Sequence, residues 1–251
     1  RMLIFNLPQQ GRYTMELLSH ARAAADCQAC PLKSRCIPSC LSDDNLQAFD
    51  RIVLRGRPLR KGDHTFLAAD PFRSIFVIRQ GAIKTYYITE EGEEQVTGFF
   101  TAGDCFGFDG INTLKHTNSA KALERTQLCE IPFERLEQLC TRIHDLQHYA
   151  YQLASRQILQ EQKLMQFLGK RSAEARVAFL LLNYISRANA GHAIGRDTVL
   201  PMTRYDIANY LGLSVETVSR ILSRMQQQGM IRLRGRHIAI KSQAALAHCA
   251  Q

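Results

Sequence analysis

Nothing in this chain is apolar for long enough to cross a membrane: no run approaches the roughly 18 residues that an α-helical span needs. The short apolar stretch near its start, Met2-Leu-Ile-Phe-Asn-Leu-Pro8, is too brief for a signal-peptide core and lacks a small-residue cleavage site. The expectation is a cytoplasmic protein with no membrane partner. Acidic side chains are also scarce. Against 32 Lys and Arg stand 23 Asp and Glu, a formal net charge of +9, which favours a polyanionic partner, nucleic acid before membrane. No Ser/His/Asp arrangement, phosphate-cradling loop or metal–carboxylate motif is present, and the eight histidines are scattered, so an enzyme is not expected. Repeats and low-complexity tracts are missing too. With 45% hydrophobic and 22% charged residues over 251 positions, the chain reads as an ordinary globular protein of two small domains plus connecting elements.

Cysteine is the residue in surplus. Eight of them without an export signal point to thiols used for metal or redox chemistry, not to a disulfide scaffold. Three crowd into Cys27-Gln-Ala-Cys30-Pro-Leu-Lys-Ser-Arg-Cys36, a C-x2-C-x5-C run able to present three thiolates to one inorganic centre. A [4Fe–4S] cluster takes four thiolates, often several from one loop and one from elsewhere. The fourth candidates are Cys40, Cys105, Cys129, Cys140 and Cys249, and spacing does not choose among them; Cys40 would close a compact local set. Arg22, Lys33 and Arg35 put positive charge nearby, which favours thiolates. Zinc is the rival metal, although a structural zinc site usually joins two closely spaced cysteine pairs, and a single C-x2-C with scattered others fits less well. The plainest alternative is a set of reduced cysteines, with Cys105 and Cys140 serving as small core hydrophobes.

Along the chain, residues 14–25 are helix-friendly and lead into the cysteine loop, which Pro31 and Pro38 keep irregular. A short helix is expected from Ser42 to Phe49. From residue 51 to 132 the texture becomes β-like, with Arg51-Ile-Val-Leu, Ser74-Ile-Phe-Val-Ile, Ala82-Ile-Lys-Thr-Tyr-Tyr-Ile, Gln95-Val-Thr-Gly-Phe and Leu128-Cys-Glu-Ile. Gly62, Gly81, Gly92, Gly98 and Gly103 punctuate these runs at turn-like intervals, the pattern of an antiparallel jelly roll.

A long helix is predicted from Arg142 to Leu168. Ile143, Leu146, Ala150 and Leu153 form one apolar stripe, suited to packing on the roll. Tyr151, Ala154, Ile158, Glu161, Met165 and Leu168 form a second, spaced 3, 4, 3, 4, 3, the heptad seam of a helix that pairs with its twin in a homodimer. Glu161 in that seam brings two carboxylates together across the axis, where they repel. A further helix runs from a Ser172 cap through Arg187, followed by a Gly-containing loop over residues 188–199.

The C-terminal end reads as a helix-turn-helix. Thr203-Arg-Tyr-Asp206 resembles a capping box that opens a helix through Leu211, Gly212 suits a tight turn, and Ser214 caps a second helix from Val215 to Gln227. Val218, Ile221, Leu222 and Met225 share its inward face. Glu216, Ser219 and Arg220 line the outward face near its N-terminal end, where recognition helices read bases in the major groove, and Val215 and Thr217 complete the DNA-facing set. Arg220 suits guanine O6/N7, and Glu216 suits cytosine N4. Residues 231–240 alternate around Gly235 as a wing that bears Arg232, Arg234 and Arg236. Residues 196–241 hold eight Arg and Lys against three Asp and Glu, a net +5 that suits a phosphate backbone.

From Cys27 to the C-terminus the chain resembles the FNR-type, oxygen-sensing branch of the CRP/FNR transcription regulators. The resemblance is carried by Cys27-x2-Cys30-x5-Cys36-Ile37-Pro38, by Gly81-Ala-Ile-Lys-Thr and Gly92-Glu-Glu-Gln-Val-Thr-Gly-Phe, by Cys129-Glu-Ile-Pro-Phe-Glu, and by Tyr210-Leu-Gly-Leu-Ser-Val-Glu-Thr-Val-Ser-Arg220. It implies an α+β protein in four parts: an N-terminal cysteine-rich cluster-binding segment (1–41), a β-roll sensor domain of the jelly-roll, cyclic-nucleotide-binding-like kind (42–141), a dimerisation helix (142–170) and a winged helix-turn-helix (171–251). It selects Cys129 as the fourth cluster ligand beside Cys27, Cys30 and Cys36. It also implies that Glu216, Ser219 and Arg220 read a TTGAT-like half-site twice per dimer, and that RNA polymerase is a partner. Residues 1–26 lie outside it, and the seam acid is Glu161 where the best-known member has Asp. The superfamily also contains cyclic-nucleotide receptors, which capture phosphate with an Arg followed by Ser or Thr. In this chain the matching stretch, Asn118-Ser-Ala-Lys-Ala-Leu, offers only Lys121, so a phosphate lacks its bidentate partner and no cyclic nucleotide is expected.

Overall fold

In a computed structural model of the chain the described residues are 23–24, 26–189 and 197–250, without the side chains of 23, 24, 168 and 170. The helix-friendly stretch 14–25 falls outside them, except that Ala23–Ala24 is not helical: it forms a short strand, β1, antiparallel to Leu54–Arg55. Sheet pairing overrides helix propensity there. The cysteine loop is two 3-10 turns, Lys33–Arg35 and Ile37–Cys40, the second with Ile37 and Pro38 buried. Ser42 then accepts the Asn45 N–H and caps α1 (Asp43–Asp50), with Asp43 and Asp44 at its electropositive start.

The β-region builds a roll of two sheets. Strands β2 (Leu54–Arg55), β3 (His64–Phe66), β4 (Ser74–Gln80), β5 (Ala82–Ile88), β6 (Glu94–Thr101), β7 (Cys105–Phe106), β8 (Ser119–Ala122) and β9 (Gln127–Pro132) sort into orders β1-β2-β9-β4-β7 and β3-β8-β5-β6. The expected run at Arg51–Leu54 is shorter than its apolar pattern suggests, because residues 51 and 52 turn out of α1 and only Leu54–Arg55 pairs. Gly98 is not a turn residue either; it lies inside β6 beside a register shift, where an added Cβ would stand 2.9 Å from the Phe100 ring. Gly81 does make the tight β4–β5 turn, at φ +95° and with Thr126 Oγ1 2.5 Å from where a Cβ would sit. Between the sheets Phe66, Phe76, Ile78, Ile83, Phe100 and Phe106 fill the core.

Helix α2 (Phe133–Cys140) leads to the long α3 (His144–Lys170). Ile143, Leu146 and Tyr149 are buried with Ile37, Ile75, Ile131 and Leu136, so the first stripe packs on the roll and the cysteine loop together. Tyr149 was not part of the expected stripe. After it come α4 (Ala173–Ala188, capped by Ser172), β10 (Thr198–Val199), α5 (Arg204–Leu211), α6 (Val215–Gln227), the hairpin β11 (Ile231–Arg234) and β12 (His237–Ile240), and α7 (Gln243–Cys249). The loop expected over 188–199 thus ends in a strand, since Thr198 and Val199 pair with Ile238 and His237; residues 190–196 lie outside the described residues. The core of this module, with Leu181, Leu211, Val218, Leu222, Met225 and Ile238, runs on into Ala82, Val96, Phe99 and Leu123 on the outer face of the roll.

Candidate DNA interface and cysteine recess

At the C-terminal end both halves of the capping box form: Thr203 accepts the Asp206 N–H at 3.1 Å, and Asp206 accepts the Thr203 N–H at 2.8 Å. Gly212 takes φ +62° to turn α5 into α6, and Ser214 caps α6. Val218, Ile221, Leu222 and Met225 are buried, which leaves Glu216 and Arg220 exposed, with Val215, Thr217 and Ser219 half-buried beside them on the first turns of α6. The Glu216 carboxyl is held below the ordinary range by its own backbone N–H, then by the Ser214 hydroxyl, so it presents an acceptor. The exposed Arg220 donates from Nη2 to Thr217 Oγ1 at 3.3 Å. The wing arginines divide: Arg232 is paired with Asp197 at 2.8 Å and Arg236 donates to the Leu200 and Pro201 carbonyls, whereas Arg234 is exposed at the turn. Two of the three therefore brace the wing.

At the other end, strand register explains how a distant cysteine meets the loop. Directly opposite residues share a face of a sheet. Arg55 pairs with Cys129, and Cys129 pairs with Val77. One recess is lined by Cys27, Cys30, Cys36 and Cys129, together with Lys33, Arg55, Val77 and Arg79. Cys40, Cys105, Cys140 and Cys249 are not in its wall. The recess is closed to about 20 Å³, space for roughly one water. The loop is pinned by Cys27 N–H donating to Asp50 at 3.2 Å, Lys33 N–H to the Cys30 carbonyl at 2.9 Å and Ser39 N–H to the Cys36 carbonyl at 2.9 Å. Among the described residues no three His, Cys, Asp or Glu side chains gather tightly enough for a single metal ion.

In this wall burial works against thiolates, and two arginines beside Cys129 work for one. Burial drives the Cys27 thiol well up, helped by the Asp50 carboxylate, and pushes Cys36 up to about 12. Burial raises Cys129 too, but Arg55 and Arg79 oppose it. Arg55 donates from Nη2 to the Asp26 carbonyl at 3.0 Å, while its Nε–H is buried without an acceptor, a costly state that a sulfur acceptor would relieve. Arg55, Arg79, Asp50 and Val77 escaped sequence reading because nothing in their spacing announces which strands will be neighbours.

On α3 the second stripe lies open: Tyr151 is 66%, Ile158 55% and Met165 67% exposed, Ala154 and Glu161 are exposed as well, and the Leu168 side chain lies outside the described residues. Ala154, Ile158 and Glu161 border a cleft of about 360 Å³ between α3 and the roll, which Thr85, Asn118, Arg187 and Tyr210 also line. Arg187, the cation in that lining, is engaged with Asp104 at 2.7 Å. No helix among the described residues is long and apolar enough to cross a membrane.

Residues 56–142 match the cyclic nucleotide-binding domain family and residues 175–249 the Crp-like helix-turn-helix domain family. The chain is 43% identical over 216 residues to the transcriptional activator protein anr of Pseudomonas aeruginosa, covering 86% of this chain and 88% of that one. It is 42% identical over 227 residues to the fumarate and nitrate reduction regulatory protein of Escherichia coli K12, covering 90% and 91%. Among solved structures, FixK2 from Bradyrhizobium japonicum superposes with a TM-score of 0.70 at 27% identity, over 77% of this chain and 96% of that one. These relatives are DNA-binding regulators and not enzymes, and the chain belongs with them to the FNR-type branch of the CRP/FNR family of transcription regulators.

Proposed function

We propose that the protein is a cytoplasmic, oxygen-responsive regulator in which Cys27, Cys30, Cys36 and Cys129 hold a [4Fe–4S] cluster, and which dimerises without oxygen to bind palindromic TTGAT-like DNA and control genes of anaerobic metabolism. The observation that carries this reading is the convergence of those four thiols, three from one loop and one from a strand about a hundred residues on, at a recess walled by Arg55 and Arg79. Bound there, the cluster supplies iron–sulfur bonds that oxygen destroys. The residues do the rest. Ligation replaces thiol protons, and the loop is held against α3, where Ile37 lies beside Leu136, Leu146 and Tyr149. Holding the N-terminal half of α3 sets the direction of the second stripe, Tyr151, Ala154, Ile158, Glu161, Met165 and Leu168, for pairing with a second subunit. The pair then places two α6 helices one DNA turn apart. RNA polymerase is the expected partner at the promoter. A cyclic nucleotide is not part of this reading, since Arg187, the cation lining the cleft among the described residues, is engaged by Asp104. Iron and sulfide analysis with a visible spectrum, on protein purified under nitrogen, tests it; a colourless, iron-poor protein that still binds its operator as a dimer points instead to thiol or zinc sensing.

Two consequences are measurable. Arg220→Ala is expected to cost about 1–3 kcal/mol in operator binding and to relax preference at one base pair per half-site. Fluorescence anisotropy against the operator and its single-base variants checks this, and an even loss across all variants would mean a phosphate contact. Glu161→Ala is expected to make dimerisation less dependent on anaerobic conditions. Like charges some 6 Å apart repel by roughly 2–3 kcal/mol at an effective dielectric of about 20. Dimer mass measured in air and under nitrogen reads the effect; an unchanged oxygen-dependence removes Glu161 from the switch.

A further inference from the structure

We propose that Arg35 is the residue through which the cysteine loop positions the DNA-binding module. Arg35 ends the 3-10 turn between Cys30 and Cys36, so its place is set by the same segment that bears three of the thiols. Its Nη2 donates to the carbonyl of Arg187 at 2.9 Å, and lies 3.5 Å from the carbonyl of Ala102 on the roll. Arg187 sits in the last turn of α4, where helix carbonyls lack intrahelical donors and carry partial negative charge, the end that favours a cation. The Arg187 guanidinium reaches back the other way, to Asp104 Oδ2 at 2.7 Å and to the Phe99 carbonyl at 3.0 Å. Two arginines thus clasp the end of α4 from opposite sides, one from the loop and one onto the roll. Arg35 lies over the turn between β6 and β7, where Gly103 takes φ +93°, a conformation that suits glycine.

Helix α4 is not a free strut. Val177, Leu181 and Ile185 are buried with Leu211, Val218 and Leu222, so a shift at its end is passed to α5 and α6 as one packed body. The loop-to-module bond spans 152 residues of sequence, and it is independent of the contact that Lys84 makes with Asp206 elsewhere on the module. When the loop is held by its cysteines Arg35 is held on α4; when the loop is released, the end of α4 loses a charge-assisted bond.

The switching half of this proposal rests on the sensing role given above; the bond itself does not. The test is amide hydrogen exchange on the full chain, wild type and Arg35→Gln, each metal-free and after anaerobic reconstitution with iron and sulfide. In wild type, exchange at residues 185–189 is expected to slow by about ten-fold or more on loading, the size of one charge-assisted hydrogen bond. Arg35→Gln, loaded to the same iron content, is expected to exchange at the fast rate in both states. A full loaded-versus-free difference retained in Arg35→Gln overturns the proposal, as does failure of that variant to take up iron, which would make Arg35 a support of the loop itself. If wild type takes up no iron, the sensing role falls and the bond is judged on the proteins as isolated: faster exchange at 185–189 in Arg35→Gln upholds it, and equal rates overturn it.

Discussion

Cys129→Ser protein, reconstituted under nitrogen, is expected to lose the brown chromophore and most of the roughly four irons per chain that a cubane cluster carries, while Cys40→Ser keeps both. The asymmetry follows from strand register. Cys129 stands between Arg55 and Val77 across neighbouring strands, facing the thiols of the loop. Cys40 belongs to the next 3-10 turn, its Sγ directed to the Ile37 carbonyl at 3.1 Å, outside the recess wall. Removing a single thiolate leaves three ligands and an open iron site. With the loop no longer tied to β9, operator binding by the Cys129 variant should drop to that of air-exposed wild type. The reverse pattern, colour lost only in the Cys40 variant, would mean that the cluster sits on the compact local set and that the recess has another purpose.

The second large effect lies between roll and DNA-binding module. Lys84→Ala is expected to destabilise the protein by about 3–5 kcal/mol, the cost of leaving a buried carboxylate unpaired, read as a fall in denaturant midpoint. Lys84 is buried on β5 and its ammonium bonds both Glu94 and Asp206, the latter at 2.7 Å with 7% side-chain exposure. Burial works against both charges. For Asp206 the Lys84 ammonium, followed by the Thr203 hydroxyl and N–H, outweighs it and holds the carboxyl below its ordinary range. For Lys84 the bonds from Asp206 and Glu94 outweigh burial and raise the ammonium above its ordinary range. The signs set a window. Asp206 contributes stability that is present above the ordinary carboxylate value and is lost as pH falls through its lowered one. Lys84 contributes stability that is present below the ordinary lysine value and is lost as pH rises through its raised one. Unfolding free energy in wild type should therefore fall at both extremes, and the Lys84→Ala protein should lose most of the alkaline decline. Replacing Lys84, Glu94 and Asp206 together by apolar residues of similar volume should recover much of the loss, which separates the cost of an orphaned charge from the net value of the pair.

The same interface shows why the module docks where it does. Asn209, on α5, receives the Val96 N–H at 2.6 Å and donates to the Glu94 carbonyl at 2.5 Å, so its side chain extends the edge of β6. Phe99 packs edge-on against Tyr210 at 5.0 Å between centroids. None of these residues looks unusual in sequence. Asp206 is legible there only as part of a capping box, because Lys84, its partner across the interface, lies 122 positions away.

What the sequence by itself determined is whatever depends on near neighbours in the chain. Ser42, Ser172, Thr203 and Ser214 mark helix starts because a hydroxyl reaches an N–H three residues on. The β-type run from Ala82 to Ile88 predicts β5 to the residue, and the α6 pattern separates Val218, Ile221, Leu222 and Met225 from the exposed Glu216 and Arg220. Where pairing must come from afar, local pattern failed: Ala23–Ala24 became strand against helix propensity, and Gly98 served a register shift instead of a turn. The cysteines divide the same way. Spacing alone assembled Cys27, Cys30 and Cys36 and left five candidates for a fourth. Only the folded sheet decided that Cys129, beside Arg55, shares their recess, because which strands become neighbours depends on the burial of whole faces, a property that no segment possesses until the others are in place.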